Sequence, residues 1–274
     1  ILIKFIKDFG MLNFDVIIVG SGLAGLSTAL KLADKKKVAI ISKRQLIDSS
    51  SHWAQGGIAS TYSDDDSVDK HVKDTLTAGA DLCEDKVVRF VSEQSANAIK
   101  WLENLGVEFT KNASKKLLHF TKEGGHSVRR IAHVADTTGK AVQSTLIQKI
   151  ISHPNITIFE DHIVVDLITS NKLELFNTKQ NQYLGLYVLD NNSGKVSTIK
   201  SDRTVLASGG ASKVYLYTTN PDVSTGDGMA MAWRAGCRLA NMEFIQFHPT
   251  CLFHPEEKSF LISEALRGEG AILK

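Results

Sequence analysis

A short apolar run rich in β-branched residues, Asp15-Val16-Ile17-Ile18-Val19, leads into Gly20-Ser21-Gly22-Leu23-Ala24-Gly25. A helical apolar pattern of good helix formers then runs from Leu23 to Ala33. This strand, G-x-G-x-x-G turn and helix constrain the fold more than any other feature of the chain. Each glycine has its own task. The first permits the tight turn, the second lets the backbone approach a pyrophosphate, and the third lets helix and strand pack closely. The start of the helix then presents free N–H groups and a positive dipole end to the phosphates. In this context the motif reads as dinucleotide binding. A second run, Val38-Ala39-Ile40-Ile41-Ser42, completes a βαβ unit and opens a doubly wound sheet with a parallel core. That strand usually ends on an Asp or Glu that holds the ribose, but here it ends Ser42-Lys43-Arg44. Ser42 can supply a hydroxyl in its place, and Lys43 can meet a phosphate or the adenine side. The alternative is a solvated basic turn.

The rest of the chain alternates helical and strand patterns. Ser49 to Ser60 is rich in Gly and Ser and reads as a loop. Helices are expected over Val68 to Ala78, over Lys86 to Leu105 with a stop at Gly106, and over Asp136 to Ile151 with Asp136 as N-cap. Strand-like alternation covers Ile156 to Ile168 and Tyr183 to Ile199, the second made a hairpin by Asn191-Asn192-Ser193-Gly194. Arg203 to Ala207 reads as a separate short strand closed by Ser208-Gly209-Gly210, and Gly226 to Ala240 as a helix.

Composition narrows the class without naming it. With 43% apolar residues the chain can bury a sizeable core, and a net charge of +2 with no basic stripe gives no reason to expect a nucleic-acid partner. Cys83, Cys237 and Cys251 are scattered and lack metal-ligand spacing, which fits a reducing, cytoplasmic setting. No run approaches the roughly 20 apolar residues of a membrane span, so no membrane partner is expected. Residues 1–10, ILIKFIKDFG, are too charged for a signal peptide core and read as an extension outside the fold.

Six further motifs occur in order. They are Ser50-Ser51-His52-Trp53-Ala54-Gln55-Gly56-Gly57, Glu123-Gly124-Gly125-His126-Ser127, Ala207-Ser208-Gly209-Gly210, Ser224-Thr225-Gly226-Asp227-Gly228, Gln246-Phe247-His248-Pro249-Thr250, and Glu264-Ala265-Leu266-Arg267-Gly268-Glu269-Gly270. With the first cradle they resemble the flavoprotein superfamily of succinate dehydrogenases, fumarate reductases and L-aspartate oxidases. Tyr217-Thr218-Thr219-Asn220-Pro221 and Met231-Ala232-Trp233-Arg234-Ala235-Gly236 bring the resemblance closest to the L-aspartate oxidase branch. The resemblance implies an α/β fold: a Rossmann-like FAD-binding domain over residues 11–242 with an inserted β-rich segment. The start of an α+β capping domain follows over residues 243–274. FAD would be held by Gly20, Ser21, Gly22, Leu23, Ala24 and Gly25, by Lys43, by the loop Ser50, Ser51, His52, Trp53, Ala54, Gln55, Gly56 and Gly57, and by Asp227.

Two positions separate the branches. In the respiratory flavoproteins a histidine five residues before the loop glutamine is bonded covalently to FAD. That position is Ser50 here and His52 is out of register, so the FAD is expected to be noncovalent. The respiratory enzymes also carry an apolar residue where this chain has Glu123. In the oxidase branch a glutamate there meets the substrate's α-amino group, and a dicarboxylate without an amino group gains nothing from an added negative charge. The resemblance therefore implies oxidation of L-aspartate to iminoaspartate, with oxygen or fumarate as electron acceptor and quinolinate synthase next in line toward NAD. Gln246, His248, Ser263 and Glu264 would complete the substrate wall. The family's catalytic arginine, a second substrate histidine and a last FAD-binding segment lie downstream of Lys274, so the chain is expected to be a fragment or a truncated product. Two rivals stand beside this reading: a fumarate reductase or succinate dehydrogenase flavoprotein, and an inactive fragment that binds FAD weakly or does not fold.

Overall fold

The computed structural model describes residues 12–114, 116–174, 180–248, 250–252, 254–256, 259–262 and 269–272. The extension expected at residues 1–10 lies outside them, as do the candidate site residues Ser263 and Glu264. The chain divides into two compact units, Ile1–His52 with Leu146–Phe247, and Trp53–Thr145 with His248–Lys274.

The first unit is built on a six-stranded sheet in the order β6-β2-β1-β9-β8-β7. Its strands are β1 (Leu12–Val19), β2 (Val38–Ile41), β6 (Ile156–Phe159), β7 (His162–Thr169), β8 (Tyr183–Asp190) and β9 (Val196–Leu206). The pairs β6-β2, β2-β1 and β1-β9 are parallel, and β9-β8 and β8-β7 are antiparallel. Helix α1 (Leu23–Ala33) is the crossover between β1 and β2. Alternate side chains of a strand point to opposite faces. Ile17 and Val19 accordingly join Ala39, Ile41, Leu186, Ile199 and Met231 in one buried cluster, whereas Ile18 meets α1 near Gly25. Fully burying such side chains contributes about 1.5–3 kcal/mol each, which makes the β1-β2 pair the anchor of the unit.

Several elements differ from the sequence expectation for local reasons. The run from Ile156 to Ile168 is two strands, because Asp161 turns the chain at φ 55°. The expected break before Arg203 is absent. Strand β9 continues through the polar Lys200-Ser201-Asp202 because β8 pairs with its first half and β1 with its second. The last helix, α5, spans only Asp227–Arg234. Gly236 turns left-handed at φ 90°, Cys237 N donates to the carbonyl of Ala232 at 2.9 Å, and Gly236 N donates to that of Trp233 at 2.9 Å. These two bonds are a Schellman stop. Helix α4 (Thr138–Ile151) does not start from an Asp136 cap, because Thr137 N closes a turn onto the carbonyl of Val134 with Ala135 at φ 44°.

The second unit holds helices α2 (Val68–Ala78) and α3 (Asp85–Leu105) and a three-stranded antiparallel sheet in the order β3-β5-β4. Its strands are β3 (Ile58–Ala59), β4 (Phe120–Thr121) and β5 (Ile131–Ala132). A two-stranded ribbon joins β10 (Cys251–Leu252) to β11 (Phe260–Leu261). Helix α3 stops where expected, at Gly106 with φ 106°. Among the described residues no helix is long and apolar enough to cross a membrane.

Candidate functional site

The carboxyl ends of the parallel strands meet at a cleft in the first unit, the usual ligand position in an open α/β sheet. It is lined by Gly20, Ser21 and Gly22, by Ser42 and Lys43, by residues from 48 to 51, 162 to 164 and 207 to 209, and by Val223, Ser224 and Asp227. With its open mouth it encloses about 740 Å³.

The glycines divide their work as the motif requires. Gly20 has φ 114°, and a Cβ on it would lie 2.2 Å from the carbonyl oxygen of Ala207. A Cβ on Gly25 would lie 2.1 Å from the carbonyl oxygen of Gly20, so a side chain there would force the helix off the strand. On Gly22 a Cβ would meet only the Ser51 hydroxyl, at 3.2 Å, and would project into the space beside it. The first turn of α1 carries no acidic residue and Gly22 provides no side-chain cap. Leu23 N donates to Ser51 Oγ at 3.1 Å. A positive helix end with no acidic residue in its first turn, beside an open glycine, suits a pyrophosphate.

The rim is hydroxyl-rich and charge-paired. Ser21 Oγ lies 3.0 Å from Ser42 Oγ, and Ser50 Oγ lies 3.0 Å from Ser224 Oγ. Lys43, at the end of β2, pairs with Asp227 at the start of α5 and donates to Thr225 Oγ1 at 2.5 Å. A carboxylate is thus brought to the end of β2 from far along the chain. Burial pushes the Asp227 carboxyl up, but hydrogen bonds from Lys43 and Thr225 and the lysine charge outweigh it and hold the group below the usual carboxylate range.

A second constellation lies in the second unit. Strand β5 pairs with β3 on one side and with β4 on the other. Gly56 and Gly57 lead into β3 and Glu123 opens the turn after β4, so the sheet brings the two loops together. A Cβ on Gly56 would lie 2.6 Å from Glu123 Oε1, and one on Gly57 would lie 2.4 Å from the carbonyl oxygen of Ala132. Thr138 Oγ1 donates to the Gly56 carbonyl at 2.5 Å, Gly139 N to that of Ala54 at 2.9 Å, and Gln55 Nε2 to that of Leu261 at 3.0 Å. Trp53 is exposed, and His52 is half-buried. His248 Nδ1 lies 2.9 Å from the Thr250 carbonyl oxygen. Gln246, in the first unit, is exposed. Among the described residues no group of three or more His, Cys, Asp and Glu side chains is placed to hold a metal ion.

Two features escaped the sequence reading. His162, Ile163 and Val164 at the start of β7 line the cleft, and an ordinary strand pattern carries no signal for that. A buried ion cluster around Arg130 stands beneath the Glu123 turn. Its only trace in the sequence is Arg130 next to Arg129, with acids at Asp66 and Asp74.

A doubly wound sheet with a glycine cradle at its switch point defines a dinucleotide-binding fold. The chain belongs to the FAD binding domain family, whose model matches residues 15–274. It is 60% identical to L-aspartate oxidase 1 of Ralstonia nicotianae, over 96% of this chain and 49% of that protein. To the L-aspartate oxidase of Yersinia pestis it is 54% identical, over 95% and 49%. The chain therefore spans about half the length of the curated relatives it matches. Among solved structures, a quinol-fumarate reductase with menaquinol molecules superposes with a TM-score of 0.86 at 34% identity, covering 96% of this chain and 44% of that one. An E. coli quinol fumarate reductase superposes at 0.85 and 32%, covering 95% and 43%.

Proposed function

We propose that this chain provides the FAD cradle and one substrate-facing loop of an L-aspartate oxidase, with residues 11–242 serving the flavin and residues 243–274 opening the cap. The carrying observation is Glu123, whose carboxylate lies against Gly56 of the second flavin loop. A substrate ammonium beside that carboxylate would gain a charge-assisted hydrogen bond of about 1.5–3 kcal/mol. Succinate and fumarate offer no ammonium and meet an extra negative charge instead. The identity to proteins named L-aspartate oxidase supports the same reading.

In this reading Gly20 to Gly25 and the first turn of α1 hold the pyrophosphate. Lys43, Asp227 and Ser50 to Ser51 hold the flanking groups, and Ala54 to Gly57 pass close to the ring. FAD is bound without a covalent link, since Ser50 cannot supply one. When bound, FAD would accept the hydride from Cα of aspartate; loss of that hydride, with a proton from the nitrogen to solvent, turns the Cα–N single bond into the imine of iminoaspartate. Glu123 orients the ammonium so that Cα faces that acceptor, and His248 and Gln246 donate to a substrate carboxylate, with Ser263 and Glu264 continuing that wall. Oxygen or fumarate takes the electrons, and the product passes to quinolinate synthase on the way to NAD. A cytoplasmic setting fits the free thiols Cys83, Cys237 and Cys251.

The competing reading, a fumarate reductase, rests on the solved structures named above. The substitution Glu123→Gln separates the two, because it keeps the shape and removes the charge. In the holoprotein, kcat/KM for L-aspartate should fall by about tenfold or more, since ~1.4 kcal/mol is a factor of ten. Fumarate reduction should be unchanged or faster. Intact aspartate turnover with impaired fumarate reduction would mean that Glu123 serves another role, and would remove the main reason to prefer the oxidase over the reductase.

A further inference from the structure

Glu123 lies in the connection between β4 and β5, whose register pairs Phe120 with Ala132 and Thr121 with Ile131. Within this glycine-rich connection Gly125 turns left-handed at φ 84° and His126 N donates to the Glu123 carbonyl at 3.4 Å. A further constraint comes from α2. Asp74, on that helix, accepts from Ser127 N at 2.8 Å, from Ser127 Oγ at 2.8 Å and from Arg130 Nη1 at 2.7 Å, all on Oδ2. Arg130 is fully buried, and it also donates through Nε at 2.8 Å and Nη2 at 2.9 Å to the two oxygens of the equally buried Asp66. Asp66 Oδ1 in turn accepts from Ser67 N, at the start of α2.

The connection is thus tied at its far end to α2 through one carboxylate, and at its base through a guanidinium held between two. Two oxygens of Asp66 and one of Asp74 take three of the five Arg130 N–H donors, a planar fork that lysine cannot reproduce. Asp74 bonds to both the turn and the arginine, and Arg130 Nη1 itself lies 3.3 Å from His126 Nδ1 in the turn. Nothing in the proposed chemistry uses Asp66, Asp74 or Arg130, and none of them is among the residues expected to touch flavin or substrate.

We infer that Asp74 is a positioning residue: by clamping Ser127 and Arg130 to α2 it fixes the Glu123 turn, and so sets the preference of the site for an amino-dicarboxylate over a plain dicarboxylate. The inference rests on the reading of Glu123 as the ammonium partner. It assigns the selectivity of that carboxylate to a residue that does not touch the substrate.

The test uses the holoprotein with Asp74→Ala, Asp74→Asn, Ser127→Ala, Glu123→Gln and the double variant Asp74→Ala with Glu123→Gln. It reads two quantities: amide hydrogen exchange of residues 122–130, and the ratio of kcat/KM for L-aspartate oxidation to that for fumarate reduction. Asp74→Ala should speed exchange in that segment, and in Ser127 above all. It should lower the ratio by about tenfold or more, chiefly through KM for aspartate. Asp74→Asn, which keeps an oxygen for Ser127, should recover part of the ratio. The double variant should be no worse than Glu123→Gln alone. Should Asp74→Ala not fold, Ser127→Ala carries the test, with the same signs and a smaller fall of about threefold. If Glu123→Gln lowers the ratio but neither Asp74 nor Ser127 variants do, or if the two losses multiply in the double variant, the clamp is refuted and the Glu123 reading stands. If Glu123→Gln leaves the ratio unchanged, both fall.

Discussion

At the scale of single residues, the three cradle glycines are not interchangeable. Gly20 is required by backbone conformation, Gly25 by close approach of helix to strand, and Gly22 by neither. A left-handed conformation alone costs a non-glycine residue about 1–2 kcal/mol, and at Gly20 the clash with the Ala207 carbonyl adds to it. Gly20→Ala should therefore lower the melting temperature of the protein whether or not FAD is present. Gly22→Val should leave the apoprotein fold near normal by circular dichroism and abolish FAD retention on gel filtration, because its branches fill the space a pyrophosphate needs. Normal FAD content in Gly22→Val would mean that the motif is only a turn.

Among elements, α2 is the one whose role the sequence did not reveal. Its amphipathic pattern made the helix readable, but the pattern says nothing of Asp74 reaching a turn 53 residues away. What was legible is what local chemistry decides: the β-branched β1 and β2, the cradle between them, and the left-handed stop at Gly106. Illegible were features set by partners distant in the chain, such as the unbroken β9, the Lys43–Asp227 pair and the start of β7 at the cleft. The same helix makes the unit sensitive to acid. His71 on α2 and His126 in the turn both lie beside Arg130, and burial first, then the arginine charge, lowers the pKa of each. A histidine depressed in the folded state is protonated first in the unfolded chain. Stability is therefore fully present above the ordinary histidine value, about 6.5, and declines as pH falls from there through the folded values. The melting temperature should drop between pH 7 and pH 5.5, and His126→Gln should flatten part of that slope; a wild-type melting temperature flat across that range would contradict this account. The Asp74 carboxyl behaves otherwise. Burial pushes it up, but bonds from Ser127 and Arg130 outweigh that and hold it low, so its contribution is lost only at more acid pH.

For the molecule as a whole, the two constellations have separate tasks in the proposed reaction. The cleft at the switch point of the first sheet suits the nucleotide half of FAD, and the small sheet of the second unit brings a flavin loop to a carboxylate suited to an ammonium. The fold is shared with fumarate reductases at TM-scores of 0.85 and 0.86, so architecture alone does not choose the substrate; the proposed reading gives that choice to one carboxylate. The most direct measurement is anaerobic mixing of the FAD-loaded protein with L-aspartate, with the visible absorbance of the flavin followed in time. L-aspartate should bleach the oxidised flavin, while succinate at the same concentration should not. Bleaching by succinate and none by L-aspartate would contradict the assignment of Glu123 to a substrate ammonium.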